Sequence, residues 1–268
     1  MNKDLALLVV SCDAYTKLGT IFFELQERFM GWFNGNRYFV NETLNVDFNG
    51  VKVVHVGNDV NWSGKVKKAL DTIPEEYILF MLEDYFIGQP VKEADIDNAL
   101  KIMHDHNFKY YKITNIPHLS GGSDIAEYLS YIPSNLRYGI NLQAAIFRKD
   151  FLYEVISGED RDAWKTETDL LKNVTDKFEY NIDGCVADVR NIIDIHNGVI
   201  KGMWVPATIK YFKKIGYTFD LGNRKVLPLK RIIRGKIIGF FKRRLSNSAT
   251  KKAKRILKHF GFQFVSDN

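Results

Sequence analysis

Apolar positions along this chain fall into two kinds: short unbroken runs, and sets spaced like one face of a helix. Leu5–Val10 is an unbroken run of strand length, closed by Ser11-Cys12-Asp13. Leu18, Ile21, Phe22, Leu25, Phe29 and Trp32 then recur at helical spacing until Asn34-Gly35-Asn36 breaks the pattern. Residues 37–40 and 51–56 read as strands, and 62–70 as a short helix with Ser63 as its cap. The strongest signal is at Tyr77–Ile87. Apolar and aromatic residues run unbroken from Tyr77 to Leu82 and stop at the adjacent carboxylates Glu83 and Asp84. Such a run predicts a central strand buried on both faces.

The second half of the pattern is more broken. Residues 93–106 are helical, with Ile96, Leu100 and Met103 on one face. Residues 110–114 predict a strand and 117–124 a glycine-rich loop. A strand over 142–147, a helix from Asp150, a helix over 164–174 and a strand over 189–195 complete the body. Strands alternating with helices imply an α/β fold, with a mostly parallel central sheet flanked by helices and right-handed crossovers.

Charge divides the chain. Of its 38 Lys/Arg, 14 lie beyond Asp220, with only one of the 32 acids. Residues 1–220 therefore predict an acidic globular domain, and 221–268 a basic helical tail. The tail mixes Ile and Phe with Lys and Arg, the composition of a segment lying on an anionic membrane surface. A helical oligomerisation element, giving a homo-oligomer, is the alternative. Nucleic acid suits the charge, but the Ile and Phe content and the acidic body count against it. No unbroken run of about 18 apolar residues predicts a membrane span, and the run at Leu5–Val10 is too short for a secretory signal. Two cysteines are too few for a disulfide framework, which fits a reducing compartment. The expected location is cytoplasmic, peripheral on the inner face of the membrane.

Three predicted strands end in acids: Asp13, Asp59 and the pair Glu83-Asp84. In open α/β sheets, ligands bind outside the carboxyl ends of the strands. Acids there can accept hydrogen bonds from a base or ribose, or hold a hard cation against a diphosphate. Phosphate loops of the GxGxxG and GxxxxGK[ST] types are absent, as is a GxSxG nucleophile elbow. Trp62, Trp164 and Trp204 are candidates for stacking on sugars or for core positions.

Further along, Phe147-Arg148-Lys149-Asp150-Phe151-Leu152 is followed by Thr166-Glu167-Thr168-Asp169-Leu170. The order of these two elements after the Ser11–Tyr15, Gly57-Asn58-Asp59 and Leu82–Tyr85 segments resembles the nucleotide-sugar glycosyltransferases of the GT-A fold. The Trp164–Glu167, Leu142–Asp150 and Glu83–Phe86 elements together also resemble a bacterial subgroup serving capsule, exopolysaccharide or lipopolysaccharide assembly. The resemblance spans about residues 5–206. It departs from the family at Thr168, where the family carries an Asp, and at Glu83-Asp84, where the family carries Asp-x-Asp.

The resemblance implies a GT-A-like fold, a nucleoside diphosphate sugar donor and a saccharide or lipid-linked acceptor. It implies donor contacts from Ser11, Asp13, Tyr15, Asp59, Trp62, Glu83 and Asp84, and acceptor contacts from Gln143, Arg148 and Trp164. Glu167 would be the general base of an inverting displacement, with Asp169 next in line. Asp84 and His196 would hold Mn²⁺ or Mg²⁺ if a metal takes part. The alternative is a non-catalytic nucleotide- or sugar-binding component of a membrane-associated assembly. A nucleotidyltransferase would need a basic phosphate loop near the first strand, where only Lys17 is available.

Overall fold

The structure is a computed structural model and describes residues 4–134, 136, 138–163, 165–166, 183–229 and 231. The chain divides into two compact units, residues 1–198 and 199–268. The sequence pattern had placed the division near residue 220.

The first unit is built on an eight-stranded sheet. Its strands are β1 (Leu5–Val10), β2 (Arg37–Asn41), β3 (Val51–His55), β4 (Tyr77–Leu82), β6 (Tyr110–Lys112), β7 (Leu129–Tyr131), β8 (Ala145–Arg148) and β9 (Cys185–Asp188). Their spatial order is β3-β2-β1-β4-β8-β6-β9-β7. The first four run parallel. β8 lies antiparallel to both β4 and β6, β9 returns parallel to β6, and β7 closes the edge antiparallel to β9. The expected α/β fold is present, and its sheet is mixed.

Periodicity explains the layers. Every residue of β1 is buried, because parallel neighbours flank it on both sides and helices cover both faces. On one face Leu8, Tyr38, Ile78, Phe80, Tyr110 and Phe147 share a core with helix α2 (Trp62–Thr72) and helix α4 (Lys149–Val155). α2 contributes Val66, Ala69 and Leu70, spaced as one helical stripe. Helix α1 (Thr16–Met30) presents Leu18, Ile21, Phe22 and Leu25, the positions its sequence pattern marks. Gly19 is needed for its approach: an added Cβ would lie 2.8 Å from the Phe39 ring. Helix α3 (Glu93–Asp105) buries Ile96, Leu100 and Met103.

One predicted element is divided. The run Tyr77–Ile87 breaks at Glu83-Asp84. β5 (Tyr85–Ile87) leaves the main sheet and pairs antiparallel with β10 (Ile195–Asn197). The strand expected over 189–195 falls instead at β9 and β10, on either side of that segment. β7 was not anticipated.

The second unit is described over residues 199–229 and at 231. β11 (Val199–Ile200) and β12 (Met203–Trp204) form a hairpin across Lys201-Gly202. Both turn residues have positive φ, 50° and 74°, as a type I′ turn requires. Trp204 is buried, stacked on Phe219 at 5.3 Å, with its indole N–H donating to the Leu221 carbonyl. It is a core residue of this unit, not an exposed stacking surface. Helix α5 (Pro206–Lys214) starts on a proline, whose missing N–H is tolerated in a first turn. The predicted basic helices of the tail lie outside the described residues.

Candidate active site

The sheet reverses its order of growth between β1 and β4. β2 and β3 extend it to one side of β1, and β4 begins the other side. A crevice outside the carboxyl ends of these strands is where open α/β sheets bind ligands. β1 and β4 are in parallel register up to Val10 and Leu82, so Ser11-Cys12-Asp13 and Glu83-Asp84 emerge side by side.

Asp13 sits in a single 3₁₀ turn, Asp13–Tyr15. Its carboxylate accepts N–H bonds from Glu42, Thr43 and Leu44, each at 3.1 Å, and the Thr43 hydroxyl at 2.8 Å. Burial alone would raise its pKa. The bonds from Leu44, Thr43 and Glu42 outweigh that and hold it at about 2. In return the Glu42 carboxylate accepts the Asp13 N–H and pairs with Lys65 of α2, which is almost fully buried. Asp13 is thus an anchor for the loop after β2, with its oxygens already engaged by protein donors. Tyr15 is half-buried behind it, and Ser11 is buried. The Cys12 thiol is pushed up by burial and by the nearby Glu42 and Glu83 charges, with Lys65 opposing. That surrounding is the reverse of what a thiolate nucleophile needs.

Asp59 lies beyond the outer strand β3, exposed and paired with Lys68 at 3.0 Å. The hydrogen bond from Lys68 lowers its pKa. Trp62 opens α2 and packs edge-on against Phe80, ring centroids 6.0 Å apart. Ser63 does not cap this helix. Asp160 does, from nearly a hundred residues away: its carboxylate accepts the Asn61 and Gly64 N–H groups at 2.6 and 2.9 Å and the Ser63 hydroxyl at 3.2 Å. Ser63 and Arg161 add two reciprocal bonds, at 2.9 and 2.8 Å.

Glu83 and Asp84 form the half-buried turn between β4 and β5. The Gly198 N–H donates to the Asp84 carbonyl at 2.7 Å, and His196 pairs in register with Phe86. The structure therefore brings His196 near the turn from more than a hundred residues away. The His196 ring nitrogen Nε2 lies 3.1 Å from Asp194. Among the described residues, no group of three or more His, Cys, Asp or Glu side chains is placed to hold a metal ion.

The antiparallel course of β8 separates two residues that the sequence reading joined. Arg148 stands opposite Tyr77, where β4 begins, whereas the Glu83-Asp84 turn lies beyond its far end. At about 3.3 Å per residue, six residues span roughly 20 Å. Arg148 there binds Asp150 at 2.8 Å and Asn107 at 2.6 Å. The reversed strand carries it to the sheet edge opposite the Glu83-Asp84 turn. Gln143 precedes β8 on the site edge and is half-buried. Trp164, Glu167 and Asp169 lie outside the described residues.

Sequence reasoning missed Glu42, Lys65 and Asp160, and the only signal for them is polar residues near strand and helix ends. It also missed Lys112, the last residue of β6. This side chain is fully buried and donates to the carbonyls of Tyr138 and Gly139 at 2.9 and 3.2 Å. Burial lowers its pKa to about 7. A charged residue inside a strand reads as surface, so nothing in the sequence marked it.

No protein-family model and no curated protein matches the chain. Several solved structures are distantly similar. Glucosyl-3-phosphoglycerate synthase from Mycobacterium tuberculosis, in complex with phosphoglyceric acid, is 12% identical at a TM-score of 0.44, covering 72% of each chain. Residues 1–349 of S. aureus TarS are 10% identical at 0.43, covering 64% of this chain and 54% of that one. This chain thus spans about half of the TarS fragment it matches. The 2-C-methyl-D-erythritol 4-phosphate cytidylyltransferase of Thermus thermophilus is 10% identical at 0.36, covering 62% and 83%.

Proposed function

We propose that this protein is a glycosyltransferase using a nucleoside diphosphate sugar. The observation that carries the reading is the pairing of the Ser11–Asp13 turn with the Glu83-Asp84 turn at the point where the sheet reverses its order of growth. The motif resemblance of residues 5–206 supplies the chemistry. In this reading the donor lies across the carboxyl ends of β1 and β4, flanked by Ser11, Tyr15, Trp62, Glu83 and Asp84. Glu167, or failing it Asp169, takes the proton of an acceptor hydroxyl as the nucleoside diphosphate leaves. A nucleotidyltransferase is less well supported. Ser11–Tyr15 contains no basic residue, and Lys17 is exposed on α1.

The acceptor in this reading is a saccharide or lipid-linked glycan of surface polysaccharide synthesis. The basic tail would place the enzyme on an anionic membrane. No helix among the described residues is long and apolar enough to cross one.

The test uses the full chain and a panel of nucleotide sugars, with Mn²⁺, with Mg²⁺ and with chelator. Slow release of nucleoside diphosphate without acceptor is the expected result. Glu167→Gln should lower turnover by about 10²–10⁴-fold with donor binding retained. Binding of a nucleotide sugar without turnover would turn the reading to a non-catalytic binding component. Neither binding nor release would remove it altogether. Flotation with phosphatidylglycerol vesicles but not with phosphatidylcholine vesicles is expected for the tail.

A further inference from the structure

Tyr138 has a backbone φ of +62°, the left-handed region that large side chains rarely occupy. Such a conformation persists only where its surroundings over-determine it, and such residues cluster at ligand sites. The surroundings here can be named. The Tyr138 carbonyl accepts from Lys112 Nζ at 2.9 Å and from Asn141 Nδ2 at 3.2 Å. Both donors are buried. Among the described residues no carboxylate pairs with Lys112, so its polar contacts go to this loop alone. Register explains how a lysine fits: Ala145 and Ala187 flank it on the neighbouring strands and leave room for its stem. Yet the Tyr138 side chain gains little from this arrangement, since the residue is 45% exposed.

A buried latch that fixes an exposed aromatic residue in a strained backbone makes little sense as packing. It makes sense as a rigid surface for a ligand. The latch rises from the carboxyl end of β6, the same edge of the sheet as the Glu83-Asp84 turn. Asn141 also donates to the Ile116 carbonyl at 3.2 Å, which holds a second exposed apolar residue, 60% accessible, on the same support. Half-buried Gln143 follows, its N–H donating to Asn141 Oδ1. A flat apolar ring with a polar tip suits a pyranose, whose C–H face packs on the ring, and the half-buried Gln143 side chain offers an amide for its hydroxyls. A nucleobase would also stack. But the lysine that holds Tyr138 belongs to β6, two strands beyond β4, whereas Asp13 and Asp59 follow β1 and β3.

We propose that Tyr138, held by the Lys112–Asn141 latch, is the aromatic wall of a saccharide subsite. Its assignment to the acceptor sugar rests on the glycosyltransferase reading, whereas saccharide binding itself does not. The test is saturation-transfer NMR of the full chain with the methyl glycosides of glucose, galactose and N-acetylglucosamine. Wild type and Tyr138→Phe should transfer saturation to sugar C–H protons. Tyr138→Gly should bind about ten-fold more weakly, the loss of one stacking contact. Its melting temperature should hold or rise, because glycine accepts a φ of +62° without strain. Lys112→Met should weaken binding with the ring still present.

No transfer to any glycoside from wild type would overturn the proposal, as would equal transfer from Tyr138→Gly. So would a loss of binding accompanied by a lower melting temperature in Tyr138→Gly, which would mark a packing role. Donor turnover is read separately. Glycoside binding without nucleotide release keeps the subsite and removes the glycosyltransferase reading; release without Tyr138-dependent glycoside binding removes the subsite alone.

Discussion

The two halves of the main sheet are held together differently. In the half made of β3, β2, β1 and β4, neighbouring strands run parallel, and β1 and β4 are apolar or aromatic throughout. Its polar groups sit at the strand ends, where Asp13, Glu42 and Lys65 tie β1, β2 and α2 together. In the half made of β8, β6, β9 and β7, strands are only three or four residues long and come from distant parts of the chain. Here the polar residues that end the strands, Asp188 and Lys112, are fully buried. Asp188 is fully buried and accepts from Tyr111 at 2.8 Å and from Arg190 at 2.6 Å. Arg190 also reaches Asp95 at 3.2 Å and lies over the Tyr128 ring at 3.8 Å. Lys112 is buried two strands from β4. The lesson is one of specification. An apolar strand following a helix finds its place by burial alone, whereas short strands from distant segments need directional partners to fix their position and direction.

The comparison breaks first at Asp188. Asp188→Ala should destabilise by about 1–3 kcal/mol in urea unfolding, because it leaves the buried Tyr111 hydroxyl without its acceptor and removes the bonds to the exposed Arg190. Leu8→Ala, an apolar deletion in the other half, should cost about 2–5 kcal/mol by cavity formation. If Asp188→Ala costs less than about 1 kcal/mol, the polar network does not hold the mixed half.

Asp160 joins the segment after α4 to the start of α2, and so sharpens the comparison at its seam. Asp160→Ala should lose about 1–2 kcal/mol, the worth of a helix cap, and hydrogen exchange should speed up in the first turn of α2. Unchanged exchange there would show that the remote cap is dispensable.

Lys112 gives a pH signature. Its folded pKa is lowered to about 7 from its ordinary 10.5. Between these values the unfolded chain binds the extra proton, so stability rises with pH across that window; below it both states are protonated and the penalty of the buried charge stands at its full value. The slope is at most about 1.4 kcal/mol per pH unit. Wild type should gain on Lys112→Met between about pH 7 and pH 10; parallel curves would mean that the lysine is not desolvated as the structure shows.

Asp13 works in the opposite direction and should have the smallest effect. Its folded pKa is lowered to about 2, so its stabilisation is present above its ordinary 3.8 and is lost as pH falls through 2. The residue is half-buried, so water and salt screen part of this. The advantage of wild type over Asp13→Asn should shrink over that acid range. An advantage that persisted at about pH 2 would point to the shape of the loop and not to the charge.

Legibility followed the same division. β1, α1, β2, β3, α2 and β4 emerged within a few residues of their sequence-marked positions, because each is a local periodicity longer than its boundary error. α3 and α4 emerged for the same reason. The carboxylate pair at the tip of β4 was visible because an abrupt change from apolar to acidic is a one-dimensional signal. The edge on which Arg148 lies was not legible, because a strand's sequence does not state its direction and a reversed strand exchanges its two ends. The β4–β5 break was invisible because Tyr85-Phe86-Ile87 is as apolar as the run before it, and only its pairing with β10 separates them. Asp160 and Lys112 were missed because their partners lie far away in sequence or belong to the backbone.

By itself, then, the sequence determined the class of fold, the helices and strands of the first half, and the acids at the strand tips. Periodic burial is local, and the chain writes it residue by residue. Tertiary structure decided strand order and direction, the engagement of Asp13 by its own loop, the remote cap on α2 and the latch beneath Tyr138. Each of these is a hydrogen bond or a register between segments whose meeting no local pattern records.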